Sequence, residues 1–426
     1  MQSWRQIVSH VNGLAVASSL AALHRSGWLT ALPLRVSELP GNQGYLQGLF
    51  RALDSLGWVD IIDGVAAWTS AGKAVVAEAD LLTIVPEFLE TFSPVCSVPV
   101  VAQSPVTEML QGHQAAPVML AGTGGPLLEE LGWWQDGDWT AEGRTARAQS
   151  SVYEYPVAYL PLLRRVEELL FLDCAWLRGG VEEVHIDRGQ DIRYSGKVFA
   201  HSVGPVFWEL FLPAVAERPA FILDVGCGDG TMLAELGARA PGVPLVGVEL
   251  NSVAREAAAA RVPLVVEGDI GNPDALAEAL SSHGLRLRDG LVVTKSVVHN
   301  RSFREPRVVR EGRTTSRCAD VSGAPISAGA LEGSLVEFFQ AWKPHLGKHG
   351  FLMVEAHCVP PAVARANQGR TLAPALELLH CYSGQLLVEA SVHRACAAEA
   401  GLVSRGSREL GAQTFGHHHM TVDHFV

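Results

Sequence analysis

Three acidic residues close three apolar runs in the second half of the chain, and glycines crowd the first of them. Phe221-Ile-Leu-Asp224 leads through Val225 into Gly226, Gly228 and Gly230 on alternate positions. A buried strand, a glycine turn and a helix start let a ligand press against backbone, because glycine has no Cβ and tolerates unusual φ and ψ. The spacing is G-x-G-x-G beside an acid, not the G-x-G-x-x-G of a pyrophosphate-binding turn. Asp224 and Asp229 would repel a pyrophosphate, whereas they suit a ligand carrying an ammonium and a sulfonium. Leu245-Val-Gly-Val-Glu249 ends in an acid placed to accept from both hydroxyls of a ribose. Leu264-Val-Val-Glu-Gly-Asp269 ends in one able to accept from an adenine amino group, with Ile270 beside it. A nucleotide-free or NAD-binding α/β domain is the plainer alternative. Acids at three successive strand ends weigh against it.

A second group is rich in imidazole. His299 follows the apolar run 290–296, His357 follows 350–356, and His380, Tyr382 and Gln385 cluster downstream. Any one histidine reads more readily as a structural or hydrogen-bonding residue. Two at adjacent strand ends, with a His/Gln cluster nearby, suit iron or manganese in an open octahedral site completed by water and substrate oxygens. Neither H-E-x-x-H nor a cysteine cluster supports structural zinc.

Elements must bring these residues together. Alternating strands and helices specify a doubly wound sheet whose ligands sit beyond the carboxyl ends of its strands. Strands are expected at 221–225, 245–250, 264–270, 290–296 and 350–357, a helix at 388–400, and a last antiparallel strand over 417–425. Near the N-terminus, helical spacing over 11–28, from about 36 and over 45–56 precedes a hairpin around Asp63-Gly64. That is a winged-helix layout. Arg51 is the only base on its third helix and is flanked by Asp54 and Asp60, so packing or dimerisation is expected rather than DNA binding. Residues 90–140, rich in proline and glycine, read as a linker and partial lid whose tryptophans pack. Helical spacing returns over 151–180, and no internal repeat is expected.

At 426 residues the chain exceeds one ordinary core. Hydrophobic residues at 48% against 18% charged indicate a globular protein. A formal charge of −12 argues against a nucleic-acid partner. The seven cysteines, Cys96, Cys174, Cys227, Cys318, Cys358, Cys381 and Cys396, are odd in number and show no C-x-x-C, which reads as reduced thiols. No leader and no apolar run long enough to span a bilayer is apparent, so a soluble, cytoplasmic protein with no membrane partner is expected.

The strand-end acids and glycine turn resemble the nucleoside-binding motifs of class I S-adenosylmethionine-dependent methyltransferases over roughly 221–296. That likeness implies a seven-stranded Rossmann-like sheet, with Asp224, Gly226, Gly228, Glu249, Asp269 and Ile270 binding the methyl donor. It divides the chain into a winged-helix-like region 1–90, a helical linker and lid 91–215, and a methyltransferase domain 216–426 with an inserted lid at about 300–349. A second resemblance rests on His299-Asn-Arg-Ser-Phe303, Ser334-Leu-Val-Glu-Phe-Phe-Gln-Ala-Trp342, Glu355-Ala-His357-Cys-Val-Pro-Pro361 and His380-Cys-Tyr-Ser-Gly-Gln385. It extends through His185-Ile-Asp-Arg188 and Tyr194-Ser-Gly196. These look like the methyltransferase domains that open polyketide-synthase loading modules of the apratoxin, gephyronic acid and saxitoxin type. The family implies C-methylation of a malonyl group on an acyl carrier protein, among other polyketide-synthase domains, with one divalent metal ion. By that resemblance the metal ligands are His299 and Gln385, with His357 or His380 as further candidates. His299, Tyr382 and His380 are the candidate catalytic groups, Tyr382 or His380 orienting a carboxylate or taking a proton. The chain departs from the family's pattern at Gly384, where Asp is common, and in a short stretch 303–332.

Overall fold

The computed structural model describes residues 2–92, 104–172, 174 and 186–426. Cys96 and His185 lie outside these. Seven strands make one sheet: β1 (Ile222–Val225), β2 (Leu245–Glu249), β3 (Leu264–Glu267), β4 (Leu291–Lys295), β5 (Phe351–Ala356), β6 (Ser404–Leu410) and β7 (Met420–Phe425). Their order is β6-β7-β5-β4-β1-β2-β3. Strands β1 to β5 pair in parallel, and β7 lies antiparallel between β5 and β6. The central β1 is buried along its whole length, as a parallel strand covered on both faces must be. From β1 the chain builds outward through β2 and β3, then returns to add β4 on the other side. The crevice at this reversal lies over the ends of β1 and β4, where ligands of doubly wound sheets sit.

Several expectations change in detail. Strand β3 stops at Glu267, which leaves Asp269 and Ile270 in the loop beyond it. Strand β6, Ser-Arg-Gly-Ser-Arg-Glu-Leu, is a polar edge strand that carries no apolar alternation. The expected inserted lid is two things. Residues 301–317 form an irregular strap that ends in a small hairpin (Cys318–Ala319 with Pro325–Ile326), whereas the helix Ala328–Trp342 packs into the core of the sheet.

The N-terminal region has helix α1 (Gln2–Arg25), a three-residue 3-10 turn at Val36–Glu38 in place of the expected second helix, and helix α2 (Gln43–Ser55). The wing Val59–Ile62/Val65–Trp68 turns at Asp63 and Gly64, both at positive φ. Arg51 is buried against the strap, donating from Nε to the Thr315 carbonyl at 2.9 Å and from Nη2 to the Val359 carbonyl at 2.7 Å, and it ion-pairs with Glu377. It cannot read a duplex.

The wing occurs twice, against the expectation of no repeat. Gly57-Trp58, the Asp63-Gly64 turn and Trp68-Thr69 recur as Gly132-Trp133, Asp136-Gly137 and Trp139-Thr140 around a shorter hairpin. In both copies the threonine hydroxyl donates to the first glycine's carbonyl at 2.7 Å and caps the next helix through Gly72 or Gly143. In both, that capped glycine packs on the preceding tryptophan's carbonyl, where a Cβ would lie within 2.0 or 1.8 Å of the oxygen. The described part of the stretch read as linker and partial lid thus ends in a second wing. Its helix α3 (Pro105–Ala121) crosses α1 closely, Gly13 against Met109 and Gly112 against His10. Trp133 is fully buried between them and the rest of the N-terminal core. That core also takes in Leu372, Leu378, Leu379 and Tyr382, so the helical region and the sheet region share one apolar seam.

By length and composition, α1 and the continuous helix over 189–216 could each cross a membrane, against the expectation that no segment could. In α1 89% of the relevant window is buried inside the protein, as a core helix is. The six described cysteines are all buried and none forms a disulfide.

Candidate active site

The donor side is built on the turn after β1. Gly226, Gly228 and Gly230 all take positive φ. The N–H groups of Gly226 and Cys227 donate to the Val248 carbonyl at 2.8 and 2.9 Å, and that of Gly230 donates to Cys227. Gly228 donates to Glu249 Oε2 at 2.8 Å. These donors are consumed inside the fold, so the turn offers little to a phosphate, unlike a dinucleotide loop. Glu249, accepting also from Asn251 N–H at 2.9 Å, is fixed against the turn. Asp229 caps Thr231 and ion-pairs with Arg261 at 3.2 Å, which removes it as a ligand for a cation. Asp224 remains. It is fully buried, neither oxygen has a partner among the described residues, and burial followed by the charge of Glu249 pushes its pKa up to about 8. A buried carboxyl left without partners is costly unless a ligand completes it.

Asp269 accepts from Gly271 N–H at 2.8 Å and is half-buried at the loop. Ile270 is turned into the core beneath the sheet, its carbonyl accepting from Trp342 Nε1 at 2.8 Å, so its side chain does not face the crevice. Helix α4 (Arg188–Val198) closes the other side, with Ile192 about one van der Waals contact from where a Gly228 side chain would be. Its Ser195 hydroxyl accepts from Lys295 Nζ at the end of β4. Burial lowers the Lys295 pKa to about 8 against the pull of Asp191, Asp224 and Glu355.

On the acceptor side, β4 is followed by Ser296 at a φ of 56°, a left-handed turn that brings Val297 onto Gly226 and starts the 3-10 turn carrying His299. His299 is buried, and its Nδ1 donates to Glu355 at the end of β5. Glu355 also accepts from Val298 N–H at 2.9 Å and Ala356 N–H at 2.8 Å. Burial alone would raise the Glu355 carboxyl, but His299, then His393 and His357, hold its pKa at about 2. The His380 ring lies 5.1 Å from that of His299. Burial and His299 lower the His380 pKa to about 3. Gln385 follows the same turn, its N–H donating to the His380 carbonyl at 2.8 Å, and Leu386 N–H ties it to the His299 carbonyl at 2.7 Å.

His299, His380 and Gln385 are therefore brought together, and two candidates are not. His357 has both ring nitrogens engaged, Nδ1 with the Val388 carbonyl at 3.1 Å and Nε2 with Thr421 Oγ1 at 2.9 Å. It has no lone pair to offer a metal. Tyr382 points the other way, its hydroxyl on Ser19 Oγ at 2.7 Å within the helical core. Sequence reading gave no role to Glu355, Lys295 or Tyr155. The first two end apolar strands as Asp224 does, so the same strand-end rule points to them. Tyr155, on His380 Nδ1 at 2.7 Å, comes from 225 positions away and had no such signal.

A family model described as the AprA MT2-like domain matches residues 183–420. No curated protein matches the chain. Among solved structures, an O-methyltransferase family 2 protein from Planctomyces limnophilus in complex with apigenin is 13% identical. It covers 99% of this chain and 95% of its own, with a TM-score of 0.42. The CurJ carbon methyltransferase is 12% identical over 96% of this chain and 99% of its own, at 0.38. The NcsB1 O-methyltransferase of neocarzinostatin biosynthesis, bound to S-adenosylmethionine, is 15% identical over 98% and 96%, at 0.32. Matched over more than half its length, the chain belongs to the AprA MT2-like family and is an S-adenosylmethionine-dependent methyltransferase.

Proposed function

We propose that the enzyme methylates the acidic carbon of a malonyl group carried on an acyl carrier protein, in the cytoplasm and alongside other polyketide-synthase domains. The observation that supports this reading most is the acceptor lip itself. His299 Nδ1 is held by a buried carboxylate, which leaves Nε2 as the free nitrogen, next to His380 and a carboxamide. Such a His–carboxylate pair is the usual way a ligating imidazole is oriented. His299, His380 and Gln385 thus fit a divalent cation, iron or manganese, although among the described residues no cluster of three His, Cys, Asp or Glu does so. When bound there, such an ion supplies Lewis-acid stabilisation of the charge that develops as the malonyl C2–H is lost.

On the donor side, Asp224 takes the ammonium of S-adenosylmethionine, Glu249 its ribose and Asp269 its adenine, and Lys295 is available to its carboxylate. Helix α4 lies along the crevice, with Ile192 beside Gly228, Ser195 on Lys295 and Tyr194 against Tyr155, and the in-line placement of carbon and methyl contributes much of the remaining acceleration. A second reading is O- or N-methylation of a free small molecule. It is favoured by the same dyad, since His299 oriented by Glu355 can deprotonate a hydroxyl without metal.

Mass spectrometry of a malonyl-loaded carrier protein, incubated with enzyme, S-adenosylmethionine and ferrous or manganous ion, decides between them. One or two added methyl groups, lost on chelation, are expected. An unchanged carrier mass with and without metal removes the proposal, and chelator-indifferent methylation of a phenol establishes the second reading.

A further inference from the structure

Two tyrosines from the helical region reach the acceptor lip. Tyr155 stacks on His380, with ring centres 5.7 Å apart, and its hydroxyl lies 2.7 Å from His380 Nδ1 and 3.3 Å from the Tyr159 hydroxyl. Gln385 Nε2 donates to the Tyr159 hydroxyl at 3.2 Å. His380 Nδ1 also lies 2.5 Å from the Leu376 carbonyl. A carbonyl can only accept, so Nδ1 carries the hydrogen and shares it between Leu376 and the Tyr155 oxygen. The Tyr155 proton then turns to the Tyr159 hydroxyl, which is nearer at 3.3 Å than His380 Nε2 at 3.5 Å. A tyrosine donating to Nδ1 instead would set two lone pairs, on nitrogen and on the Leu376 oxygen, against each other.

We propose that Tyr155 and Tyr159 are positioning residues that set the hydrogen-bonding polarity of the acceptor lip. The Leu376 carbonyl requires the Nδ1–H tautomer of His380, and Tyr155, accepting the same hydrogen and stacking on the ring, fixes how the ring is turned, so that Nε2 bears the lone pair toward the lip. Tyr159 takes the Gln385 amide nitrogen and leaves Gln385 Oε1 free. Glu355 does the same for His299 from the opposite side. Three groups from two segments then present lone pairs and no hydrogens, a lining suited to a cation and unsuited to an anion. The helical region thereby sets the chemistry of the lip as well as covering it. This rests on the reading of the lip as the acceptor site, yet it concerns the resting protein.

The test uses full-length protein with 15N-labelled histidine, comparing wild type with Tyr155→Phe and Tyr159→Phe by NMR. In the wild type His380 shows hydrogen on Nδ1 and a bare Nε2. Tyr155→Phe keeps the hydrogen on Nδ1, where the Leu376 carbonyl still takes it, but shifts the Nδ1 resonance and loosens the ring, and Tyr159→Phe leaves His380 in place while mobilising the Gln385 side-chain amide. In parallel, manganous ion affinity read by electron paramagnetic resonance falls about 10–100-fold in Tyr155→Phe, the range usual for a lost outer-shell partner. Wild-type His380 protonated on Nε2 overturns the proposal. So does an unchanged His380 spectrum with unchanged manganese affinity in a folded Tyr155→Phe. Should Tyr155→Phe fail to fold, the wild-type tautomer and Tyr159→Phe still decide. If the carrier is never methylated but His380 behaves as described, the substrate reading falls and this one stands.

Discussion

In the proposed reading, donor binding turns on Asp224. Its carboxyl is buried, without a partner among the described residues, and burial and Glu249 push its pKa up to about 8. A cationic ligand reverses that balance, so binding S-adenosylmethionine at about pH 7 ionises Asp224 and releases a proton. Affinity therefore rises with pH up to the folded value. Calorimetry in buffers of different ionisation enthalpy should show that release, and Asp224→Asn should abolish it. The same variant should weaken binding by about 1.5–3 kcal/mol, the usual range for a hydrogen bond to a charged group. At this scale the sequence was informative about placement wherever an apolar run precedes a residue: Asp224 and Glu249 lie at strand ends and His299 just beyond one. It was uninformative for Tyr382, whose place in a His/Gln cluster does not say that its helix turns it toward Ser19.

Among the elements, the doubled wing is the clearest case of structure hidden from pattern reading. The repeat is carried by a few glycines, tryptophans and threonines around hairpins of unequal length, so no periodicity marks it. Each capped glycine lies against a backbone carbonyl that cannot move aside. Gly72→Ala and Gly143→Ala should each destabilise by about 1–3 kcal/mol, the cost of overpacking, read as a lower melting temperature. Helix α2 is fastened differently, through the buried Arg51–Glu377 pair. Arg51→Met leaves Glu377 uncompensated and should cost about 3–5 kcal/mol, much of which Arg51→Met with Glu377→Leu recovers. Strands β1, β2, β4 and β5 were legible because buried parallel strands are uninterrupted apolar runs. Strand β6 was not, because an edge strand with one partner is free to be polar.

Over the whole molecule two halves meet at a crevice, and helix α4 touches both, through Ile192 and Ser195 on one side and Tyr194 on the other. Many imidazoles are sealed inside it: burial lowers His10, His357, His380 and His419 to about 3, and His113 and His393 to about 4. Their folded values lie below the ordinary value near about 6.5, so the unfolded chain binds protons that the folded chain refuses. Their contribution to stability is present above about pH 6.5 and is lost as pH falls toward 3. The melting temperature should drop steeply below about pH 6, and a flat profile between 7 and 5 would show that these rings are hydrated. Shared apolar packing between the helical region and the sheet, unforeseen because it joins residues hundreds of positions apart, makes this a single acid transition. The most direct test of the whole account is transfer of an isotopically labelled methyl from S-adenosylmethionine to malonyl carrier protein by wild type and His299→Ala. The account predicts label on the malonyl carbon with wild type, and a loss of about 10²–10⁴-fold in His299→Ala while donor affinity is unchanged. Equal transfer by the two proteins, or label that never reaches the carrier, would contradict it.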